Sequence, residues 1–104
     1  MIRGTTPNVR FKIKNLDTDL IETAEIYFGQ RDRLVIKKDN EDCIVERGFV
    51  SCFLSQEDTL CLNAKERVDI QLRVIIKGDV VLSTKIFKRY VYEIVDEEVI
   101  KNDP

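Results

Sequence analysis

The sequence predicts an all-β domain, an antiparallel sandwich of about seven strands with one short helical turn. The chain contains 12 Ile and 11 Val residues, and their β-branched side chains suit the pleated, half-buried surface of a sheet. Several stretches alternate apolar and polar residues, and turn-forming residues separate these stretches about every 8–12 residues. At 104 residues the chain has the length of one domain, so we expect residues 1–104 to fold as a single unit.

The predicted strands follow this alternation in order along the chain. They are expected at residues 8–14, 23–29, 33–38, 43–46, 49–54, 66–77 and 80–94. The third strand places Leu34 and Ile36 on one face, and the sixth is the longest regular strand. In the last strand the alternation is interrupted near Lys88, which indicates a bulge or bend.

The one helical signal lies at residues 55–62, between the fifth and sixth predicted strands. Ser55 is of a type that accepts hydrogen bonds from the free backbone N–H groups at a helix start. Asp58 stands three residues later, where its carboxylate can return a hydrogen bond to the Ser55 backbone, as in a capping box. We therefore expect a short helix that crosses between strands.

An immunoglobulin-like arrangement fits the number of strands, the length of the chain and the spacing of the turns. The Cys…Trp…Cys signature of antibody domains is missing, because the sequence contains no Trp. A small open barrel is the second architecture compatible with these observations, since the strand pattern alone does not separate the two.

Composition argues against catalysis, and we expect no enzyme activity, no catalytic residue and no cofactor or metal site. His is absent, which removes the commonest general base, the commonest metal ligand and the usual partner of a nucleophilic Ser or Cys. The paired carboxylates, such as Asp17 and Asp19, lie in predicted turns, at the helix start or in the tail, where neither member of a pair is expected to be buried as catalysis requires.

Charge and hydropathy exclude two further classes of partner. Lys and Arg number 17 and Asp and Glu number 19, so the formal net charge is −2, which argues against a nucleic-acid partner. No apolar run is long enough to cross a membrane, and the first residues contain no apolar core of a signal peptide. We therefore expect no membrane partner and no secretion signal.

The three cysteines, Cys43, Cys52 and Cys61, are spaced nine residues apart. This spacing matches no zinc-thiolate pattern, and an odd number cannot close completely into disulfides within one chain. Each cysteine has apolar neighbours, so reduced thiols packed as small hydrophobic side chains are the expected state. An intermolecular disulfide and a redox or metal role are the alternatives.

Two segments form the candidate interface with other proteins. The first is an N-terminal arm, residues 1–7, in which Gly4 and Pro7 favour an extended chain. An arm without partners in its own core is free to pair with a neighbour. The second lies in the last strand, where aromatic and cationic side chains are mixed as in protein interfaces. The candidate interface residues are Arg3, Thr5, Thr6, Pro7, Phe87, Arg89, Tyr90 and Tyr92.

Charged residues also mark the first strand and the end of the chain. Arg10, Lys12 and Lys14 alternate along the first strand, where they guard a strand edge or form a docking strand for a neighbouring subunit. The cations at 85–89 stand among aromatic residues, but the acidic residues that follow argue against binding of a single-stranded nucleic acid. The tail, residues 96–104, is acidic and expected to be flexible.

Four motifs occur together and in order along the chain. They are IRGTTP at residues 2–7, the alternating first strand, SQEDTL at 55–60 and VDIQLRV at 68–74. Through these motifs nearly the whole chain resembles a family of short proteins from phages and prophages of Gram-positive bacteria. The layout is more loosely similar to the immunoglobulin-like N-terminal domain of baseplate upper proteins.

The resemblance implies a non-enzymatic phage structural protein, a tail- or baseplate-associated component or adaptor that acts through protein–protein contacts. The partners it implies are further copies of the chain, as a homo-oligomer, or other phage structural proteins. The location it implies is a virion or the cytoplasm of the bacterial host. The alternative is a carbohydrate- or ligand-binding β-sandwich, for which three Tyr and no Trp offer few aromatic platforms.

Overall fold

The computed structural model describes residues 1–101, which fold into two antiparallel sheets around one core. The strands are β1 (Asn8–Lys12), β2 (Ile21–Gln30), β3 (Arg33–Lys38), β4 (Cys43–Glu46), β5 (Phe49–Phe53), β6 (Arg67–Ile76), β7 (Val80–Ser83) and β8 (Phe87–Tyr90). The helical segments are α1 (Gln56–Leu60) and two 3₁₀ turns (Thr18–Leu20 and Asn40–Asp42). The predicted all-β sandwich is confirmed, and it has eight strands because the last predicted strand is divided in two.

The strand order is that of an immunoglobulin-like sandwich. One sheet has the order β1–β5–β4, and the other has the order β3–β2–β6, with β7 and β8 paired one after the other along the outer edge of β6. In immunoglobulin lettering these sheets are B–E–D and C′–C–F–G. Among residues 1–101 no strand takes the place of strand A, so the outer edge of β1 has no neighbouring strand.

The core lies between the sheets and contains side chains of both. The buried apolar side chains of the two central strands, β2 and β6, are Ala24, Ile26, Phe28, Val68, Ile70, Leu72 and Val74. They alternate with more exposed neighbours, as the period-two pattern predicts. Phe11 of β1, together with Val50 and Cys52 of β5, packs against them from the other sheet.

The β2–β3 hairpin contains a register shift that the sequence pattern does not predict. Phe28 pairs with Ile36, but the next residue, Gly29, pairs with Leu34, so β3 contains one extra residue. Leu34 consequently lies on the outer face with 60% exposure, and the prediction that it shares a face with Ile36 is wrong. Gly29 leaves room for this geometry, because a Cβ there would stand 2.9 Å from a backbone carbonyl oxygen of β3.

The last predicted strand is interrupted by a bulge between β7 and β8, but not near Lys88 as predicted, because Lys88 pairs regularly with Asp69. Residues 84–86 stand opposite only two residues of β6, Gln71 and Leu72. The Thr84 N–H donates to the Leu72 carbonyl at 2.9 Å, and the Leu72 N–H donates to the Thr84 hydroxyl oxygen at 3.1 Å. A side-chain oxygen thus replaces a backbone acceptor, and the strand divides at this point.

The predicted short helix is α1, and it begins with the predicted capping box. The Asp58 N–H donates to the Ser55 hydroxyl oxygen at 3.0 Å, and the Ser55 N–H donates to the Asp58 carboxylate at 2.9 Å. The ammonium group of Lys38, at the end of β3, lies 2.7 Å from the same carboxylate. This ion pair ties α1 to the five-stranded sheet, although α1 follows β5 of the other sheet.

The N-terminal arm is folded onto its own chain, and the prediction of an extended arm free to pair with a neighbour is wrong. Ile2 forms a parallel bridge with Tyr92, and the α-ammonium group of Met1 donates to the Tyr90 carbonyl at 2.9 Å. Gly4, with a φ of +76°, then turns the chain. The arm is not free because the edge at Tyr90 and Tyr92 already supplies the backbone partners that a neighbour would have supplied.

The acidic tail contacts both the arm and the helix. Glu97 forms an ion pair with Arg3. The Gln56 side chain of α1 forms two hydrogen bonds with the backbone of Ile100, at 2.9 and 2.7 Å. Residues 102–104 of the tail predicted to be flexible lie outside the described residues.

Candidate protein-interaction site

The outer edge of β1 presents backbone groups that no neighbouring strand uses. The Pro7 carbonyl accepts a hydrogen bond at 3.1 Å from the residue that follows β5. The Ile13 N–H donates a hydrogen bond at 2.8 Å to the residue that precedes β5. In an antiparallel ladder such residues alternate with residues whose backbone groups point the other way. The N–H and C=O groups of Asn8, Arg10 and Lys12 therefore face away from β5, and residues 1–101 contain no backbone partner for them.

The edge of β8 is open along only part of its length. The Val91 N–H donates at 2.9 Å to the residue before β6, so the backbone groups of Lys88, Tyr90 and Tyr92 face outward. The arm covers the last two of these, because Met1 hydrogen-bonds to the Tyr90 carbonyl and to the Tyr92 N–H. The edge at Lys88 lies beyond the arm.

A groove runs between β1 and β8, where the two sheets meet. Its lining includes an apolar cluster in which the rings of Phe11 and Phe87 pack edge to face, with centroids 5.7 Å apart. The β1–β8 groove is lined by residues 7–12 and Lys14 on the β1 side, by Thr84, Lys85, Phe87 and Arg89 on the β8 side, and by Met1 and Ile70. It therefore brings together two segments that lie far apart in the sequence.

The rims of the β1–β8 groove are cationic. Its exposed cationic side chains are Arg10, Lys12, Lys14, Lys85 and Arg89. None of them forms an ion pair within residues 1–101, and no Asp or Glu lines the groove. An open strand edge, an apolar cluster and unpaired positive charge thus occur at one place.

Two of these cations lie over aromatic rings. The guanidinium carbon of Arg10 is 4.0 Å from the centre of the Phe49 ring, and the ammonium nitrogen of Lys85 is 5.5 Å from the centre of the Phe87 ring. Such contacts position a cation and leave its remaining N–H groups available to an anion. Each cation also covers one face of the ring beneath it.

The structure brings three of the predicted interface residues into the groove. Pro7, Phe87 and Arg89 line it. Tyr90 and Tyr92 lie further along the same segment, with ring centroids 4.8 Å apart and exposures of 42% and 54%. The two tyrosines form a separate exposed aromatic surface beside the arm.

The other predicted residues of the arm, Arg3, Thr5 and Thr6, lie outside the groove, and the first two connect parts of the fold. Arg3 is half-buried, and its guanidinium donates to the Leu60 carbonyl at 2.8 Å and pairs with the tail. The Thr5 carbonyl accepts from the buried Thr59 hydroxyl at 2.8 Å. Thr6 is exposed. Arg3 and Thr5 thus bind the arm to α1.

Apart from Pro7, the predicted interface residues do not include the β1 side of the groove. The signal for that side is the alternating stripe of Arg10, Lys12 and Lys14, which predicts an edge or docking strand. The sequence does not connect this stripe with Lys85 and Arg89. The connection exists only because β1 and β8 come together where the two sheets meet.

A second concave surface lies on the outer face of the five-stranded sheet, beside Tyr27, Asp69 and Arg73. Two of its polar groups are engaged within the chain, since the Tyr27 hydroxyl donates to Glu25 at 2.6 Å and Lys88 pairs with Asp69 at 2.7 Å. The hydrogen bond from Tyr27 lowers the pKa of Glu25, and burial raises the pKa of Tyr27. This surface is the place where a carbohydrate would find an aromatic ring beside polar groups.

The three cysteines are free thiols in different surroundings. Cys43 and Cys52 stand opposite each other in the β4–β5 ladder, half-buried and buried. Burial raises the pKa of the Cys43 thiol to about 11 and that of Cys52 to about 12. Cys61 is exposed, so the prediction that all three pack as hydrophobic side chains is wrong for this one, which caps the end of α1.

We expect Cys61 alone to react with iodoacetamide in the native protein at pH 8. The thiolate is the reactive form, and a thiol with a pKa near 12 is about one part in ten thousand thiolate at that pH. Mass spectrometry should find one labelled cysteine in the native protein and three in urea. Cys61→Ser is the control, and native labelling of Cys52 at the same rate as Cys61 would contradict the expectation.

Within residues 1–101 no group of three or more Cys, Asp or Glu side chains is arranged to hold a metal ion. The same residues contain no helix that is both long and apolar enough to cross a membrane. Comparisons of the chain with protein-family models, with curated proteins and with solved structures found no significant match. The functional proposal therefore depends on the β1–β8 groove and on the resemblance of the sequence.

Proposed function

We propose that this chain is a non-enzymatic phage or prophage structural protein, a tail- or baseplate-associated component or adaptor that works through protein–protein contacts. The observation that carries the proposal is the open edge of β1 beside the β1–β8 groove. An unpaired strand edge next to an apolar cluster is a surface to which another protein can add a strand. The resemblance of the sequence to short phage proteins supplies the biological setting.

A second exposed strand supports a role in assembly. In β7 the side chains of Val80, Val81 and Leu82 are all exposed, between 40% and 51%. Within the described residues 1–101, β7 pairs with β6 on one side only, so its other edge is also open there. Exposed apolar side chains along an open edge are typical of surfaces that another protein covers. Further copies of the chain or other structural proteins of the particle are the proposed partners.

Purified particles from an induced host that carries this gene test the proposal. We expect mass spectrometry to detect the chain in gradient-purified particles at several copies per particle, because virion parts are built from symmetric copies. The particle-free fraction of the same lysate is the control. A chain confined to that fraction, with other tail proteins present in the particles, would exclude a virion component.

A carbohydrate-binding module is the second candidate. It is favoured by the outer face of the five-stranded sheet, where the ring of Tyr27 lies beside Gln71 and Arg73 in a concave surface. A glycan array with the wild-type chain and Tyr27→Ala tests it. Binding that depends on Tyr27 would establish the module, and an array without signal would remove it.

A further inference from the structure

We propose that the β1–β8 groove binds an extended acidic segment of a partner protein, which adds as a strand to the outer edge of β1. The partner segment has Asp or Glu at alternate positions and apolar side chains between them. This inference rests on the proposed function and deepens it, because it names the chemistry that the partner must present.

The backbone of β1 is arranged to pair with an added strand. The outward N–H and C=O groups of Asn8, Arg10 and Lys12 recur every second residue, as an added strand requires. These groups have no backbone partner within residues 1–101, and the arm occupies the edge of β8 instead. An incoming strand would therefore form hydrogen bonds with β1 without displacing a strand already present.

The side chains of β1 determine which residues are favourable at each position of the added strand. Arg10 and Lys12 occupy alternate positions on the exposed face of β1, while Val9 and Phe11 point into the core. In a paired strand, residues opposite the cations share their face, and opposite charges in such pairs are favourable. Carboxylates therefore belong opposite Arg10 and Lys12, and the intervening residues face the Phe11–Phe87 cluster, where apolar side chains fit.

Charge complementarity also decides against a second β1 as the occupant. Pairing of two β1 strands would bring Arg10, Lys12 and Lys14 against the same cations of another copy, and like charges across a strand pair are unfavourable. Lys85 and Arg89 on the other rim add to the repulsion. The same rims attract a strand that carries several carboxylates.

Single-stranded nucleic acid fits the groove less well. Stacking of bases needs open aromatic faces. The aromatic rings that line the groove are Phe87, which carries a cation on one face, and Phe11, which is buried. A phosphate backbone also cannot use the alternating N–H and C=O groups of β1 as a polypeptide strand does. The groove therefore favours an acidic polypeptide over other polyanions.

Binding of a nine-residue peptide that alternates Glu with Val and Thr tests the proposal on the full chain. We expect saturable binding by calorimetry, together with slowed amide exchange at Asn8, Arg10 and Lys12. The same peptide with Lys in place of Glu should not bind. Binding should weaken as salt rises, because exposed charges are screened.

Charge reversal in the groove supplies the decisive variant. Arg10→Glu/Lys12→Glu should weaken binding of the Glu peptide roughly tenfold or more and create binding of the Lys peptide. Arg47→Glu/Lys77→Glu changes two exposed cations that do not line the groove, so it should leave both affinities unchanged. Circular dichroism of the variants confirms that each is folded.

Three outcomes would overturn the inference. They are failure of the Glu peptide to bind, binding without slowed exchange along β1, and tighter binding of a fifteen-nucleotide oligo(dT) than of the peptide. The results that would contradict the proposed function are different from these. If the chain is found in particles but ignores the peptide, only the acidic strand is wrong; if it binds the peptide but is absent from particles, the phage setting is wrong.

Discussion

Replacement of Phe28 by Ala should lower the free energy of unfolding by about 3–5 kcal/mol, the usual cost of deleting a buried aromatic ring. Phe28 is fully buried towards the end of β2, and it pairs with Ile36 of β3 on one side and with Ile70 of β6 on the other. The cavity would therefore open between three strands. Because domains of this size are stable by only about 5–15 kcal/mol, the loss is a large fraction of the total stability.

Urea denaturation followed by circular dichroism measures this loss. Leu34→Ala is the matched control in the same hairpin, because Leu34 is 60% exposed on the outer face. It should change the free energy of unfolding by less than about 0.5 kcal/mol. Equal losses in the two variants would show that the register shift between Phe28 and Gly29 is not present in solution.

Replacement of Asp58 by Ala should cost about 2 kcal/mol, because one carboxylate serves both the helix cap and an ion pair. It accepts from the Ser55 N–H at 2.9 Å and from the Lys38 ammonium at 2.7 Å. Both side chains of the pair are mostly buried, so its removal leaves Lys38 without its counter-charge. Glu57→Ala is the control in the same helical turn, since Glu57 is exposed. Equal effects of the two substitutions in thermal denaturation would contradict this role.

The contribution of Asp58 should disappear in acid. Burial by itself raises the pKa of this carboxyl, but hydrogen bonds from Lys38 and from the Ser55 backbone outweigh burial and lower the pKa below its ordinary value. A lowered folded-state pKa means stability that is present above the ordinary carboxyl pKa and is lost as pH falls through the folded-state pKa. The difference in unfolding free energy between wild type and Asp58→Asn should therefore be full at pH 7 and shrink as the pH falls below about 4. A difference that stays constant down to pH 2 would show that the charge is not involved.

Alternation of apolar side chains was sufficient to locate β2 and β6, because each of these strands buries one face against the core. The capping box at Ser55 and Asp58 was equally predictable, since it depends on residues three positions apart. The exposed position of Leu34 was not predictable from the pattern. It depends on the register between β2 and β3, which a one-residue shift changes without changing the sequence of either strand.

The groove was predictable only in parts. Arg10 and Arg89 each belong to a cationic stretch that the sequence shows, but their approach depends on how the two sheets pack. The conformation of the N-terminal arm was predicted wrongly for the same reason. Nothing local to Met1 or Ile2 reveals that a parallel partner is available at Tyr92, at the other end of the chain.

The bulge at Thr84 divides the outer edge of β6 into two independently paired halves. All four residues of β7 are exposed, whereas β8 contains the half-buried Phe87, which packs against the core. The free energy of local opening is lowest where few apolar contacts hold a strand, so β7 can separate from β6 while β8 stays paired. The outer edge of β6 can therefore open at its β7 end while β8, held by Phe87, keeps its side of the groove in place.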